Sequence, residues 1–201
     1  MFTINIYLRF ALILVLIAGG IVLTFTIGFW YAFPLLLIGL ILFLGYLFLG
    51  TVQSAAQLLE KTDFLGAEKR LGLTFKPRWL YKTNRAYFYL IKGSIAAQFK
   101  NNELAEELLL KAKTTGLPSD NERAMVQMQL AGLAANKSNW IVARQLLRET
   151  KALNITETQL KDQLKQLEKG LKNQGAMQVA RHRQRGLTFQ PGGKRKRPRS
   201  R

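Results

Sequence analysis

The chain contains no cysteine. Disulfide frameworks and thiolate metal sites are therefore excluded. A reducing cytosolic setting fits this, although exported proteins can also lack cysteine. There is one histidine, His182, and it lies in a basic stretch without convergent partners. Catalytic and metal sites need such partners, so His182 reads as a surface residue. Phosphate loops of the G-x-x-x-x-G-K-[ST] form, dinucleotide fingerprints and paired-histidine metal motifs are all missing. "GGK" at 192–194 lacks the strand–loop–helix setting of a phosphate cradle. Acids are also scarce: 12, against 30 Lys and Arg, for a net charge of +18. The expectation is a non-enzyme with no cofactor, no metal and no catalytic residue.

The scarcest commodity is charge near the start. Residues 1–50 carry a single charge, Arg9, and residues 10–50 carry none. As one helix, those 41 residues would be about 60 Å long at ~1.5 Å per residue. A bilayer's hydrocarbon core is only about 30 Å thick. The run must fold back on itself. "GFWYAFP", Gly28 to Pro34, supplies the break. Gly28 loosens the helix, Pro34 suits the first turn of a new one, and Trp30 and Tyr31 suit the headgroup level. Two membrane spans are expected, about 10–27 and 34–50. Arg9 precedes them, Lys61, Lys69 and Arg70 follow, and the connection is uncharged. The positive-inside rule then puts both termini in the cytoplasm, and the expected location is a bacterial inner membrane. A cleaved signal peptide is the alternative, with Ala18-Gly19-Gly20 as its cleavage region. The single basic residue ahead of it and the continuing apolar run argue against that. With no ionisable residue in either span, a transporter is not expected.

The body repeats itself. "AAQLLEKTDFLGAEKRL" from Ala55, "GSIAAQFKNNELAEELL" from Gly93 and "AGLAANKSNWIVARQLL" from Ala131 align without gaps at a period of 38 residues. Small residues coincide at Ala55, Gly93 and Ala131, and again at Ala67, Ala105 and Ala143. Large apolar residues coincide at Leu71, Leu109 and Leu147. Small residues suit a close helix crossing, and larger ones fill the space to the next unit. Polar turns such as Asn101-Asn102 and Ser138-Asn139 separate the paired helices. Pro118 ends one helix, and Ser119 or Asp120 can cap the next.

This pattern resembles the tetratricopeptide repeat over roughly residues 51–153. Gly93, Ala105-x3-Leu109, Ala112 and Pro118 match that family's signature, as do Ala131 and Ala143-x3-Leu147. The period departs from the usual ~34, and Ala96 and Ala134 stand where an aromatic is expected. The resemblance implies stacked helix hairpins that bind a peptide or protein on a concave face. Another kind of stacked helix-hairpin array is the alternative. The first helix of unit one, about 51–61, is expected to continue the second span out of the bilayer.

From Lys69 to Lys100 there are eight cations and no acid. In "TFKPRWLYKTNR", Lys76, Arg78, Lys82 and Arg85 mix with Trp79 and Tyr81. Such a mixture suits either a membrane surface or RNA. A solvated loop with Trp79 packed inward is the plainer alternative. Residues 156–176 are expected to form a closing helix capped by Thr156, with Leu160, Leu164, Leu167 and Leu171 on one face. That spacing also suits a coiled-coil partner. Beyond about 177 the sequence reads as a disordered basic tail. Its cations are Arg181, Arg183, Arg185, Lys194, Arg195, Lys196, Arg197, Arg199 and Arg201, with no acid from Val179 onward. Twenty-three flexible residues would span about 25–30 Å.

The expected fold is all-α: a transmembrane hairpin (1–50), a short α-solenoid (51–176) and a disordered tail (177–201). The expected function is that of a membrane-anchored cytoplasmic scaffold. Its repeats would bind a protein partner, itself membrane-associated. Its tail would contact a polyanion, either ribosomal RNA at an insertion or translocation site or anionic lipid. The alternative is a subunit or assembly factor whose specificity lies in the hairpin. A third class faces outside the cytoplasm and handles exported chains.

Overall fold

The computed structural model describes residues 6–187, with side chains over 7–173. The described residues form nine α-helices, one 3-10 turn and no strand. The order is α1 (Ile6–Thr26), α2 (Phe29–Leu49), α3 (Val52–Glu60), α4 (Phe64–Gly72), the 3-10 turn (Pro77–Trp79), α5 (Lys82–Gln98), α6 (Asn102–Thr115), α7 (Asp120–Asn136), α8 (Trp140–Lys151) and α9 (Thr158–Leu187).

α1 and α2 pack as a hairpin. Each has 21 residues, or about 32 Å at ~1.5 Å per residue. Both are long and apolar enough to cross a membrane. The two helices approach closely because glycines face side chains. A Cβ on Gly20 would lie 2.6 Å from Leu36 Cδ2, and one on Gly39 would lie 2.9 Å from Ile17 Cγ1. Their outer faces stay uncovered: Leu14, Val15, Val22, Phe25, Ile38 and Ile41 are all exposed. The break differs from the expected one. It is confined to Ile27 and Gly28, with Gly28 at φ +113°, and Pro34 lies inside α2. A proline one turn into a helix forgoes only one main-chain bond, so α2 can begin at Phe29.

The expected continuation of span two into α3 is also corrected. Gly50 adopts φ +63° and ψ −153°, and α3 restarts at Val52 after this sharp turn. Only glycine occupies that backbone region readily.

The body is built from the helix pairs α3–α4, α5–α6 and α7–α8, with α9 packed on α7 and α8. The three pairs turn in the same way. Thr62, Lys100 and Ser138 hold φ of 61°, 61° and 60°. Asp63, Asn101 and Asn139 then cap α4, α6 and α8 by accepting from the N–H groups of Gly66, Leu104 and Val142. A side-chain acceptor there satisfies a donor that the first helical turn leaves free. α7 is entered through Ser119, whose N–H donates to Glu122 Oε2 at 3.1 Å.

Apolar clusters join successive pairs. Ala55, Ala67, Leu71, Leu80, Phe88, Ile91 and Ile95 form the cluster nearest the hairpin. Leu90, Ala105, Leu109, Val126, Leu130 and Ala131 form the central one. The leucine stripe of α9 packs inward: Leu160 lies against Met128 and Ile155, and Leu171 against Ala143 and Leu147. Leu164 and Leu167 fill the space between. The stripe is therefore already used and leaves no free coiled-coil seam. Thr156 does not cap α9. Its N–H donates to Asn121 Oδ1 at 3.0 Å, and α9 starts two residues later. The helix then runs to Leu187, past the expected boundary at 176.

Candidate functional site

The segment between α4 and α5 is shaped by a few local constraints. α4 ends at Gly72. Pro77, with its preset φ, opens a single 3-10 turn closed by Trp79 N–H donating to Lys76 O at 3.1 Å. That turn sends alternate neighbours in opposite directions. Leu80 is 4% exposed and sits in the cluster nearest the hairpin. Phe75, Trp79 and Tyr81 point outward at 63%, 49% and 65% exposure. Phe75 and Trp79 pack ring on ring at 5.7 Å, and Lys76 Nζ lies 5.6 Å and 5.5 Å from their centroids. Lys76, Arg78 and Lys82 are exposed, and Arg85 is half-buried. The inward-packed Trp79 weighed above is thus not adopted.

The outward-facing loop is fastened to the end of α2. Tyr81 N–H donates to Phe48 O at 2.9 Å, and Asn84 Nδ2 donates to Leu49 O at 2.9 Å. Tyr46 Oη donates to Leu73 O, and Thr51 Oγ1 donates to Arg70 O. Thr51 and Thr74 hydroxyls pair at 2.9 Å. The Arg70 guanidinium stacks 4.6 Å from the Tyr7 ring at the start of α1. Arg9 crosses to α2, where a Cβ on Gly45 would lie 2.9 Å from its Nη2. Both ends of the hairpin are therefore tied to the body. Sequence reasoning missed Phe75, Tyr46, Thr51, Asn84 and the turn at Gly50. The glycine directly after a long apolar run was the only available signal.

Electrostatically the site is one-sided. None of the eight cations from Lys69 to Lys100 forms an ion pair among the described residues. The ion pairs there join residues from Glu106 onward, such as Lys113–Glu149 at 2.7 Å and Lys151–Glu168 at 2.7 Å. Glu149 is held below the usual carboxylate range, first by Lys113 and then by Gln145. Lys151 and then Lys172 do the same to Glu168. These pairs bind α6 to α8 and α8 to α9, and so serve the body.

The packing positions named from the repeat are all buried: Ala55, Ala67, Leu71, Gly93, Ala105, Leu109, Ala131, Ala143 and Leu147. The crossing at Gly93 is tight, since a Cβ there would lie 2.9 Å from Leu109 Cγ. Arg181, Arg183 and Arg185 lie on the last turns of α9, where only the backbone is described. Lys194, Arg195, Lys196, Arg197, Arg199 and Arg201 lie outside the described residues. No group of three His, Cys, Asp or Glu side chains converges to hold a metal among the described residues. Compared with known proteins, the chain matches no family model, no curated protein and no solved structure.

Proposed function

We propose that this protein is a membrane-anchored cytoplasmic scaffold. α1 and α2 are its two-span anchor, with both termini in the cytoplasm of a bacterial cell. α3 to α8 are three units of a short, tetratricopeptide-like solenoid with a 38-residue period, closed by α9. The solenoid binds a membrane-associated protein, and the basic tail contacts a polyanion, either ribosomal RNA at a translocation site or anionic lipid.

The observation that carries this reading is the contrast between two halves tied together. An uncovered apolar hairpin is fastened by five hydrogen bonds from side chains or backbone to a body with its own core. Soluble monomers rarely leave so much contiguous apolar surface uncovered. The solenoid reading draws support from the three like turns. Their positive-φ residues and capping residues each recur 38 positions apart. Stacked hairpins of this kind bury a face only against neighbouring units, which matches the clusters running from pair to pair.

The test is purification in mild detergent after crosslinking in cells, with the partner identified by mass spectrometry. Two variants run alongside: one with residues 1–49 replaced by an unrelated two-span anchor, and one ending at Leu187. Retention of the partner on the foreign anchor supports the scaffold, and its loss moves specificity to the hairpin. Cosedimentation with ribosomes and with anionic vesicles should weaken on removal of 188–201. No change in either would end the polyanion role. A reporter fused after Arg201 should be active only on the cytoplasmic side.

A further inference from the structure

We infer that the segment from Phe75 to Arg85 is an interfacial foot that seats the body on an anionic phospholipid surface. The inference rests on the reading of α1 and α2 as membrane spans. Its position follows from the hydrogen bonds of Tyr81 to Phe48 and of Asn84 to Leu49. Phe48 and Leu49 form the last turn of α2 and are each 51% exposed. The foot is therefore continuous with the apolar surface of the second span and lies where that span leaves the hydrocarbon. Tryptophan and tyrosine favour that level because their rings are apolar with a polar edge. Phe75, Trp79 and Tyr81 all face outward, while Leu80 between them is spent on the core.

Charge selects the lipid. Lys76, Arg78 and Lys82 are exposed, and none of them, nor Arg85, is in an ion pair among the described residues. No acid occurs between Lys69 and Lys100 to repel a phosphate. The Lys76 ammonium lies 5.6 Å and 5.5 Å from the Phe75 and Trp79 ring centroids, so cation and rings form one exposed patch. Long basic side chains commonly cover apolar surface while their heads stay in the headgroup region. The surface potential of an anionic leaflet attracts each such cation, and the attraction falls off within a Debye length. RNA would meet the same cations, but it would have to approach a loop anchored against the end of a span.

The experiment uses the full chain in vesicles of phosphatidylcholine with or without phosphatidylglycerol, carrying lipids brominated at shallow or deep acyl positions. Trp79 fluorescence is the difference between wild type and W79F, which leaves Trp30 and Trp140 untouched. Shallow bromines should quench Trp79 more than deep ones do, and phosphatidylglycerol should protect it from the neutral aqueous quencher acrylamide. The exposed-residue variant K76E/R78E should lose that protection, and high salt should reduce it. If acrylamide quenches Trp79 as it does free tryptophan and brominated lipid does not, the foot is overturned. Quenching of Trp30 by brominated lipid in W79F/W140F would then show that the hairpin still enters the bilayer. If Trp30 also escapes, the hairpin reading falls with the foot. If single-stranded RNA protects Trp79 and phosphatidylglycerol does not, the surface belongs to RNA and the lipid assignment is wrong.

Discussion

Replacing Gly50 by alanine should unfasten the body from the hairpin. The residue sits at φ +63° and ψ −153°, a region that costs a non-glycine residue about 1–3 kcal/mol. The new methyl would also lie 2.6 Å from Cδ2 of Leu80, and 3.4 Å from Cγ2 and from Oγ1 of Thr74. Leu80 is 4% exposed, so moving its methyl aside disturbs the cluster it packs in. Overpacking of that kind costs a further ~1–3 kcal/mol. Together the penalty is on the order of 2–6 kcal/mol. Five hydrogen bonds hold the junction: Tyr46 to Leu73, Thr51 to Arg70, Thr51 with Thr74, Tyr81 to Phe48 and Asn84 to Leu49. At about 0.5–1.5 kcal/mol each, they are worth about as much as the penalty. The junction should therefore open at least part of the time, while the body keeps its own core. Hydrogen exchange on the full chain in nanodiscs reads this directly. The Tyr81 amide should exchange more than tenfold faster in G50A, since ~1.4 kcal/mol is already a factor of ten in the open population. Amides of α7 should not change. Unchanged exchange at Tyr81 would mean that the chain turns at residue 50 without the left-handed backbone, and the junction would lose its geometric basis.

Three other substitutions have signs set by the packing. Gly132 lies in α7 with nothing within 4 Å of a Cβ. G132A should raise the urea midpoint of the body, by about 0.5–1 kcal/mol in stability. Gly93 meets Leu109 Cγ at 2.9 Å and Leu109 N at 3.3 Å. Overpacking there should exceed the helix-propensity gain, so G93A should lower the midpoint. L109A empties a fully buried site and should cost about 2–5 kcal/mol in the same assay. Acidification should also weaken the body. Glu149 and Glu168 are depressed by their lysine partners. The stabilisation from a depressed carboxylate is present above its unfolded value near 4.5 and is lost as pH falls through the folded value. The urea midpoint should therefore be lower at about pH 3 than at about pH 6. E149Q should remove part of that dependence, and a flat profile would refute the assignment.

Features that depend on order along the chain are legible in the sequence. A charge-free run of 41 residues needs only counting to yield two apolar helices, because helix length and bilayer thickness are fixed lengths. The pairing of small and large positions at Gly93, Ala105 and Leu109 was readable for the same reason: side-chain size at helical spacing is a local property. Asn101 and Asn139 announced themselves as caps because a short polar side chain beside a helix start has one favoured use. Other features depend on what lies opposite in space. Pro34 looked like a helix start until the hairpin closed at Ile27 and Gly28 and left it inside α2. Thr156 looked like a cap until the side-chain amide of Asn121, 35 positions away, donated to its hydroxyl at 2.8 Å. The leucine stripe of α9 could have served a partner until α7 and α8 filled it. Whether Trp79 or Leu80 faces the core follows from the 3-10 turn at Pro77 and from the cluster that admits only Leu80. Residue order along the chain thus determined the apolar head and the helical body, and composition the surplus of positive charge. Only the tertiary structure decided where the head is fastened to the body and which aromatic rings are left facing outward beside it. Both depend on Gly50 and its neighbours meeting residues 20 to 35 positions further along the chain, a proximity that local sequence does not encode.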